Sequence, residues 1–233
     1  MGKTRIIPEP HRYAVCAPAD MSIKEFYRGV FEEVYIFYHP FLKPNTIDYD
    51  VFGSDTNIGK NDIINNCDMV NWSEFLSISG IKSYKELDIG LRTLITGLIH
   101  KYQNDVTADA IQSICEKEKI ITPTEGFFPE ILMNSILSAI KKVGHDWIWI
   151  GDEFCTERKL EYIDDLIKDN DALICDNLNL FTHDSKILIT THWDSHFSML
   201  CSDRITIDKI VELCNLEGFY CDEYTEIFWS LLN

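Results

Sequence analysis

Positive charge is scarce in this chain. Only 21 Lys and Arg stand against 38 Asp and Glu, a net charge of −17. A field of that sign repels phosphate backbones and anionic lipid, which excludes nucleic acid and membrane surfaces as partners and favours a basic one. Long apolar runs are missing too. No uncharged stretch approaches the roughly 18 residues of a membrane span, and Met1-Gly-Lys-Thr-Arg has no apolar run behind it to read as a secretory leader. Gly2 is followed by Ile at position 6, where a myristoylation signal needs Ser or Thr. None of the eight cysteines is in C-x-x-C spacing. They read as small buried side chains in a reducing compartment, so a cytoplasmic location is expected. The patterns G-x-S-x-G, H-E-x-x-H and G-x-G-x-x-G do not occur, and neither a metal nor an organic cofactor is expected. Gly53 to Asn61 suggests a phosphate loop, but it has five residues between its glycines and Asn61 where Ser or Thr should meet magnesium.

What remains is ordinary globular composition, 233 residues of which 45% are hydrophobic, enough to bury a core without staples. No linker divides it, so a single α+β domain over 1–233 is expected: an extended arm at 1–20, a mainly helical part at 21–144, and a sheet with helices at 145–233. Ser22-Ile-Lys-Glu25 makes a capping box, and Phe26, Tyr27, Val30, Val34 and Tyr38 recur at helical spacing. Residues 40–71 read as a long irregular connection, with a short helix near Ser73–Ser77. Ser83-Tyr-Lys-Glu86 is a second capping box, and Leu87, Leu91, Leu94, Ile95, Leu98 and Tyr102 form one stripe that leaves Arg92 on the polar side. Two more helices follow, one capped by Thr107 and one opening at Pro129 and stopped by Gly144.

Beyond Gly144 the pattern turns to strands. Asp146–Gly151 is a strand candidate and Thr156–Lys168 reads as a charged helix. The runs Asn177–His183, Lys186–Trp193 and His196–Ser202 are separated by Asp184-Ser185 and Asp194-Ser195, dipeptides that favour turns. An antiparallel meander with those turns puts Leu178, Leu180, Ile187, Ile189, Trp193 and Leu200 on one face, and Phe181, Leu188, Phe197, Met199 and Cys201 on the other. Both faces are apolar, so both need a cover. The C-terminal helix, Thr206–Leu213, is expected on one face and the N-terminal helices on the other. Gly218–Asn233 suggests no element.

Two constellations could carry chemistry. Thr191-His-Trp-Asp-Ser-His196 holds two histidines and a carboxylate. In the expected register His192 and His196 point to opposite faces, and His183 lies about 20 Å from His192, so a shared metal needs a different turn. Asp152 and Glu153 follow an apolar strand, where paired acids could hold a divalent cation. Hence His192, His196, Asp152 and Glu153 are the candidates for a hydrolase-type, metal-assisted enzyme, the alternative function. Cys155 and Cys201 lack any nucleophile signature and sit in negative surroundings, which work against a thiolate.

The acidic excess is concentrated after Gly144: residues 146–233 carry a net −13 and residues 1–145 a net −4. Glu157, Glu161, Asp164 and Asp165, with Asp222, Glu223, Tyr224 and Trp229, make a candidate protein-binding face, with charge to speed encounter and aromatics to anchor it. The segment 83–103 and the stretch from Lys186 through Leu-Glu-Gly-Phe-Tyr-Cys-Asp-Glu at 216–223 resemble uncharacterised proteins of Bacillus-type bacteria, classed as a domain of unknown function. That resemblance implies a bacterial cytosolic protein and no activity. Size, acidity and α+β build are also similar to bacterial immunity proteins, which neutralise basic toxins. A non-catalytic module that binds a basic protein is therefore the expected function.

Overall fold

The computed structural model describes residues 14–53, 58–169 and 179–232. Residues 1–13 of the expected arm, 54–57 of the Gly53–Asn61 stretch, and 177–178 of the first strand run lie outside them. Ser22 caps a helix as its sequence requires, its Oγ accepting from the Glu25 amide, but this helix (α1, Ile23–Phe26) lasts one turn. Gly29 then takes a left-handed φ of +77°, and the chain runs out as a strand, β1 (Glu33–Tyr38). This corrects the helical reading of Val30 to Tyr38. Val34 and Tyr38 are four apart, but Val34, Ile36 and Tyr38 are also two apart, and a β-branched and aromatic run buried on both sides satisfies the strand period as well as the helical one.

The supposed loop at 40–71 is largely structured. A hairpin-like pair, β2 (Phe41–Pro44) and β3 (Cys67–Val70), encloses a 3-10 turn at Tyr49–Gly53 and a helix, α2 (Lys60–Asn66). Next come α3 (Trp72–Ser79), α4 (Tyr84–Leu94), α5 (Asp105–Glu118) and α6 (Glu130–Lys142). Ser83 caps α4 as expected, accepting from the Glu86 amide. This helix stops at Leu94 rather than Tyr102, because Thr96 turns left-handed (φ 57°) and the Gly97 amide closes back on the Arg92 carbonyl. Asn104, not Thr107, caps α5: its side chain accepts from the Thr107 amide at 3.1 Å.

β4 (Trp147–Gly151) turns into β5 (Arg158–Tyr162), so the first half of the expected helix at 156–168 is strand; only α7 (Ile163–Lys168) is helical. Asp152 makes that turn. Its carboxylate accepts from the Thr156 amide and hydroxyl, both at 2.7 Å, and from the Glu157 amide at 3.3 Å. β6 (Asn179–Phe181), β7 (Leu188–Thr191) and β8 (Phe197–Ser202) form the expected antiparallel meander in the expected register, with Phe181 opposite Leu188 and Leu188 opposite Cys201. α8 (Arg204–Cys214) and β9 (Gly218–Tyr220) complete the chain.

The fold is mixed α+β. Seven antiparallel strands run in the order β5-β4-β6-β7-β8-β1-β9, so β1, from the supposedly helical half, sits between the C-terminal strands β8 and β9. The face expected to carry Phe181, Leu188, Phe197, Met199 and Cys201 does so, and adds Val34 and Ile36. Against it lie Trp72 and Phe75 of α3, Leu87 and Leu91 of α4, and Ile111 of α5. The other face, with Leu180, Ile187, Ile189 and Leu200, packs on Met133, Ile136 and Ile140 of α6, Ile163 of α7, and Ile207 and Ile210 of α8. So α6 joins the C-terminal helix instead of the helices before it. Trp193 lies on neither face and is 57% exposed. Each fully buried aliphatic side chain in these two layers is worth about 1.5–3 kcal/mol relative to exposure.

Gly218 is fixed by close approach. It pairs with Phe37, and a Cβ there would overlap the Ile36 carbonyl oxygen and lie 2.8 Å from the Phe37 Cα. Both are backbone atoms and neither can turn aside. Gly218→Ala is expected to push β9 off the sheet edge at a cost of about 1–3 kcal/mol, read as a lowered urea midpoint.

Candidate functional site

A cleft of about 580 Å³ opens beside the turn that follows β7. One wall is the segment Val15–Ala19. The rest of the lining is Glu153 and Phe154 from the β4–β5 turn, residues 191–194, and Phe228. The turn is built locally. The Ser195 amide closes on the His192 carbonyl at 3.1 Å, and the Asp194 amide donates to His192 Nδ1 at 3.2 Å. The bend thus centres on Trp193 and Asp194, one residue earlier than Asp194-Ser195, while the ladder below it keeps its expected register. With Nδ1 accepting, the neutral ring carries its proton on Nε2.

Behind this turn lies a buried ion pair that the sequence reading missed. Asp88 and Arg92 of α4 are both 0% exposed. Arg92 Nε donates to Asp88 Oδ2 at 2.8 Å. Its other nitrogens donate to the Asp194 carbonyl (2.6 Å), Ser195 Oγ (3.1 Å) and the Ile227 carbonyl (3.0 Å). Ser230 Oγ donates to the same Asp88 oxygen at 2.6 Å. The guanidinium lies 4.9 Å from the Phe228 ring and 5.7 Å from that of Phe197. Arg92 therefore ties α4 to the 192–195 turn and to the C-terminal segment. The signal available in the sequence was the spacing: Asp88 and Arg92 are four apart, immediately beside Leu87 and Leu91.

Three imidazoles are buried here. His39 Nδ1 donates to the Thr124 carbonyl at 2.8 Å, which makes Nε2 an acceptor for Ser198 Oγ, also at 2.8 Å; Thr191 in turn donates to Ser198. His196 Nδ1 donates toward the Pro123 and Thr124 carbonyls, and its buried Nε2 has no partner. Burial pushes His39 down to about 3, and Arg92 adds to burial in holding His192 and His196 at about 4. All three rings are neutral at neutral pH. Burial, with Glu153 nearby, pushes the Cys16 thiol in the cleft up to about 12, so it is no nucleophile.

The four candidate catalytic residues do not converge. His192 and Glu153 line the cleft together. His196 faces the 123–124 backbone, and Asp152 is occupied by the β4–β5 turn. Burial acts to raise the Asp152 carboxyl, but the hydrogen bonds from Thr156 and Glu157 outweigh it and hold the group below its ordinary value. Among the described residues, no three His, Cys, Asp or Glu side chains gather as a metal ligand set, and no helix is long and apolar enough to cross a membrane.

The candidate protein-binding residues divide between the two ends of the sheet. Glu157, Glu161, Asp164 and Asp165 belong to β5 and α7. Asp222, Glu223 and Tyr224 follow β9, six strand spacings or about 29 Å away. Glu161 pairs with Lys159 at 3.3 Å, Asp164 with Lys141 at 2.5 Å and Glu223 with Lys24 at 3.5 Å. Asp222 accepts from the Tyr224 amide and the Thr225 hydroxyl. Tyr224 is 81% exposed, but Trp229 is buried against Phe219 and Tyr38. The exposed aromatics Phe154 and Trp193, at the cleft, were not among the candidate site residues, Trp193 having been expected on a sheet face.

A family model described as "Protein of unknown function (DUF2711)" matches residues 19–231, and the chain belongs to that family. The resemblance to a family classed as a domain of unknown function is borne out. No curated protein and no solved structure matches the chain.

Proposed function

We propose that this DUF2711 protein is a non-catalytic binding module whose partner is a basic protein, a basic toxin domain being the most concrete candidate. One observation carries the reading. Of the carboxylates among the described residues, only Asp88 is fully out of solvent, with Glu125, Glu130 and Asp194 partly buried, so most of the acidic excess is presented to solvent. The interior argues in the same direction. Its buried imidazoles are held far below their ordinary value, which makes them weak bases, and its thiols are held protonated by burial, so neither is tuned for proton transfer or attack near neutral pH. Exposed like charge accelerates encounter with a basic surface, and its effect is screened by salt.

The test is capture by the immobilised protein from cell extract, with the recovered proteins identified and their charge recorded. Basic proteins are expected to be retained and then released as salt rises from about 0.1 to 1 M, which shortens the Debye length from about 10 to 3 Å. Retention of nothing at low salt, or of proteins indifferent to salt and charge, overturns the proposal.

A further inference from the structure

We propose that the cleft between Val15–Ala19 and the 192–195 turn is a seat for an arginine side chain of a basic polypeptide. This deepens the reading of a basic partner and rests on it. The wall contains two carboxylates, Glu153 and Asp194, and no Lys or Arg among the described residues. Neither carboxylate has a hydrogen-bond or ion-pair partner among those residues. The one fixed cation nearby, Arg92, spends its donors on Asp88, Ser195 and two backbone carbonyls, one of them that of Asp194 itself. It is paired with Asp88 and its field still reaches His192 and Asp194, but the group of three carboxylates around this one cation remains net negative.

The same wall offers rings. Phe154 is 71% exposed and Trp193 57%, and Phe228 lines the cleft as well. Large aromatics left open beside unpaired carboxylates suit a cation, which is drawn to the ring faces and to the acids together. Arginine fits better than lysine. Its planar guanidinium stacks on aromatic faces and is weakly hydrated, whereas an ammonium keeps its water. A volume of about 580 Å³ also exceeds a single side chain, which leaves room for the flanking backbone.

The probe is the blocked tripeptide acetyl-Gly-Arg-Gly-amide, titrated against the full chain while the Trp193 indole N–H is followed by NMR. The same peptide with citrulline, the uncharged isostere of arginine, is the control. The arginine peptide is expected to shift the Trp193 signal and the citrulline peptide to leave it in place. The Glu153→Gln/Asp194→Asn double variant, which keeps side-chain shape, is expected to weaken binding about ten-fold or more. Asp109→Asn/Glu212→Gln, exposed on α5 and α8 and outside the cleft, leaves it unchanged. Equal response to both peptides, no response at millimolar peptide, or indifference to the double variant overturns the proposal. If a salt-sensitive basic partner is captured equally by wild type and double variant, the seat falls and the broader reading stands. If no basic partner is captured while the peptide binds as described, the reverse holds.

Discussion

Arg92→Met is expected to destabilise the fold by about 3–5 kcal/mol, the cost of leaving a buried charge uncompensated. Against a total stability of about 5–15 kcal/mol for a domain, that removes a large share. The methionine fills similar volume, so the loss is electrostatic and not one of packing. Among the described residues Asp88 keeps only Ser230 as a partner, and the Asp194 and Ile227 carbonyls lose this donor. Removing the carboxylate as well distinguishes this from a simple sum. Asp88→Leu/Arg92→Met is expected to be more stable than Arg92→Met alone, because no unpaired charge remains. Urea midpoints of the two single variants and the double variant measure this. Additive losses would show that the pair is not coupled. The 192–195 turn also hangs on this guanidinium, so the Trp193 environment is expected to loosen in Arg92→Met.

The second large effect is with pH. Unfolded imidazoles bind protons near pH 6.5. His39 resists to about 3, and His192 and His196 to about 4. Below pH 6.5 the unfolded chain therefore takes up protons that the folded chain refuses. Stability is complete above 6.5 and falls as pH drops toward 4. Each such proton contributes a slope of about 1.4 kcal/mol per pH unit, so three give up to about 4 kcal/mol per unit. Carboxylates whose values are lowered by hydrogen bonds, such as Asp152, Asp203 and Asp222, add losses at lower pH. Glu130 and Asp194, raised by burial, work in the opposite direction. Unfolding free energies at pH 7.5, 6.0 and 5.0 measure the slope. A flat profile across that window would mean that these rings are not held neutral by the fold.

The meander was legible because its information is local. The Asp-Ser dipeptides mark the turns to within one residue, period-two alternation sets the faces, and both the register and the two apolar sides follow. Capping boxes at Ser22 and Ser83 located helix starts for the same reason. Where α1 ends was not legible, since Val34–Tyr38 satisfies two periods and only burial between β8 and β9 decides. The helix read over 156–168 failed because the Asp152 turn draws Arg158–Tyr162 into a hairpin with β4, a pairing that charge and spacing along the segment do not announce. At the site, His192 and Glu153 were singled out and do share the cleft. Cys16, Phe154 and Phe228 were not, because they reach it from segments far apart in sequence. Arg92 was missed because a guanidinium beside a leucine stripe reads as solvent-facing unless its partners from two other segments are known.

The position of β1 has a consequence for how the chain folds. Val34 pairs with Cys201 and Tyr35 with Tyr220, so this strand completes its bonding only with residues translated 167 and 185 positions later. At about 5–20 residues per second, β1 leaves the ribosome roughly 10–30 s before those partners exist. Through that interval its aromatic and β-branched side chains lack their sheet neighbours. Assembly of the sheet is a late, long-range event, slowed by the entropy of closing so large a loop.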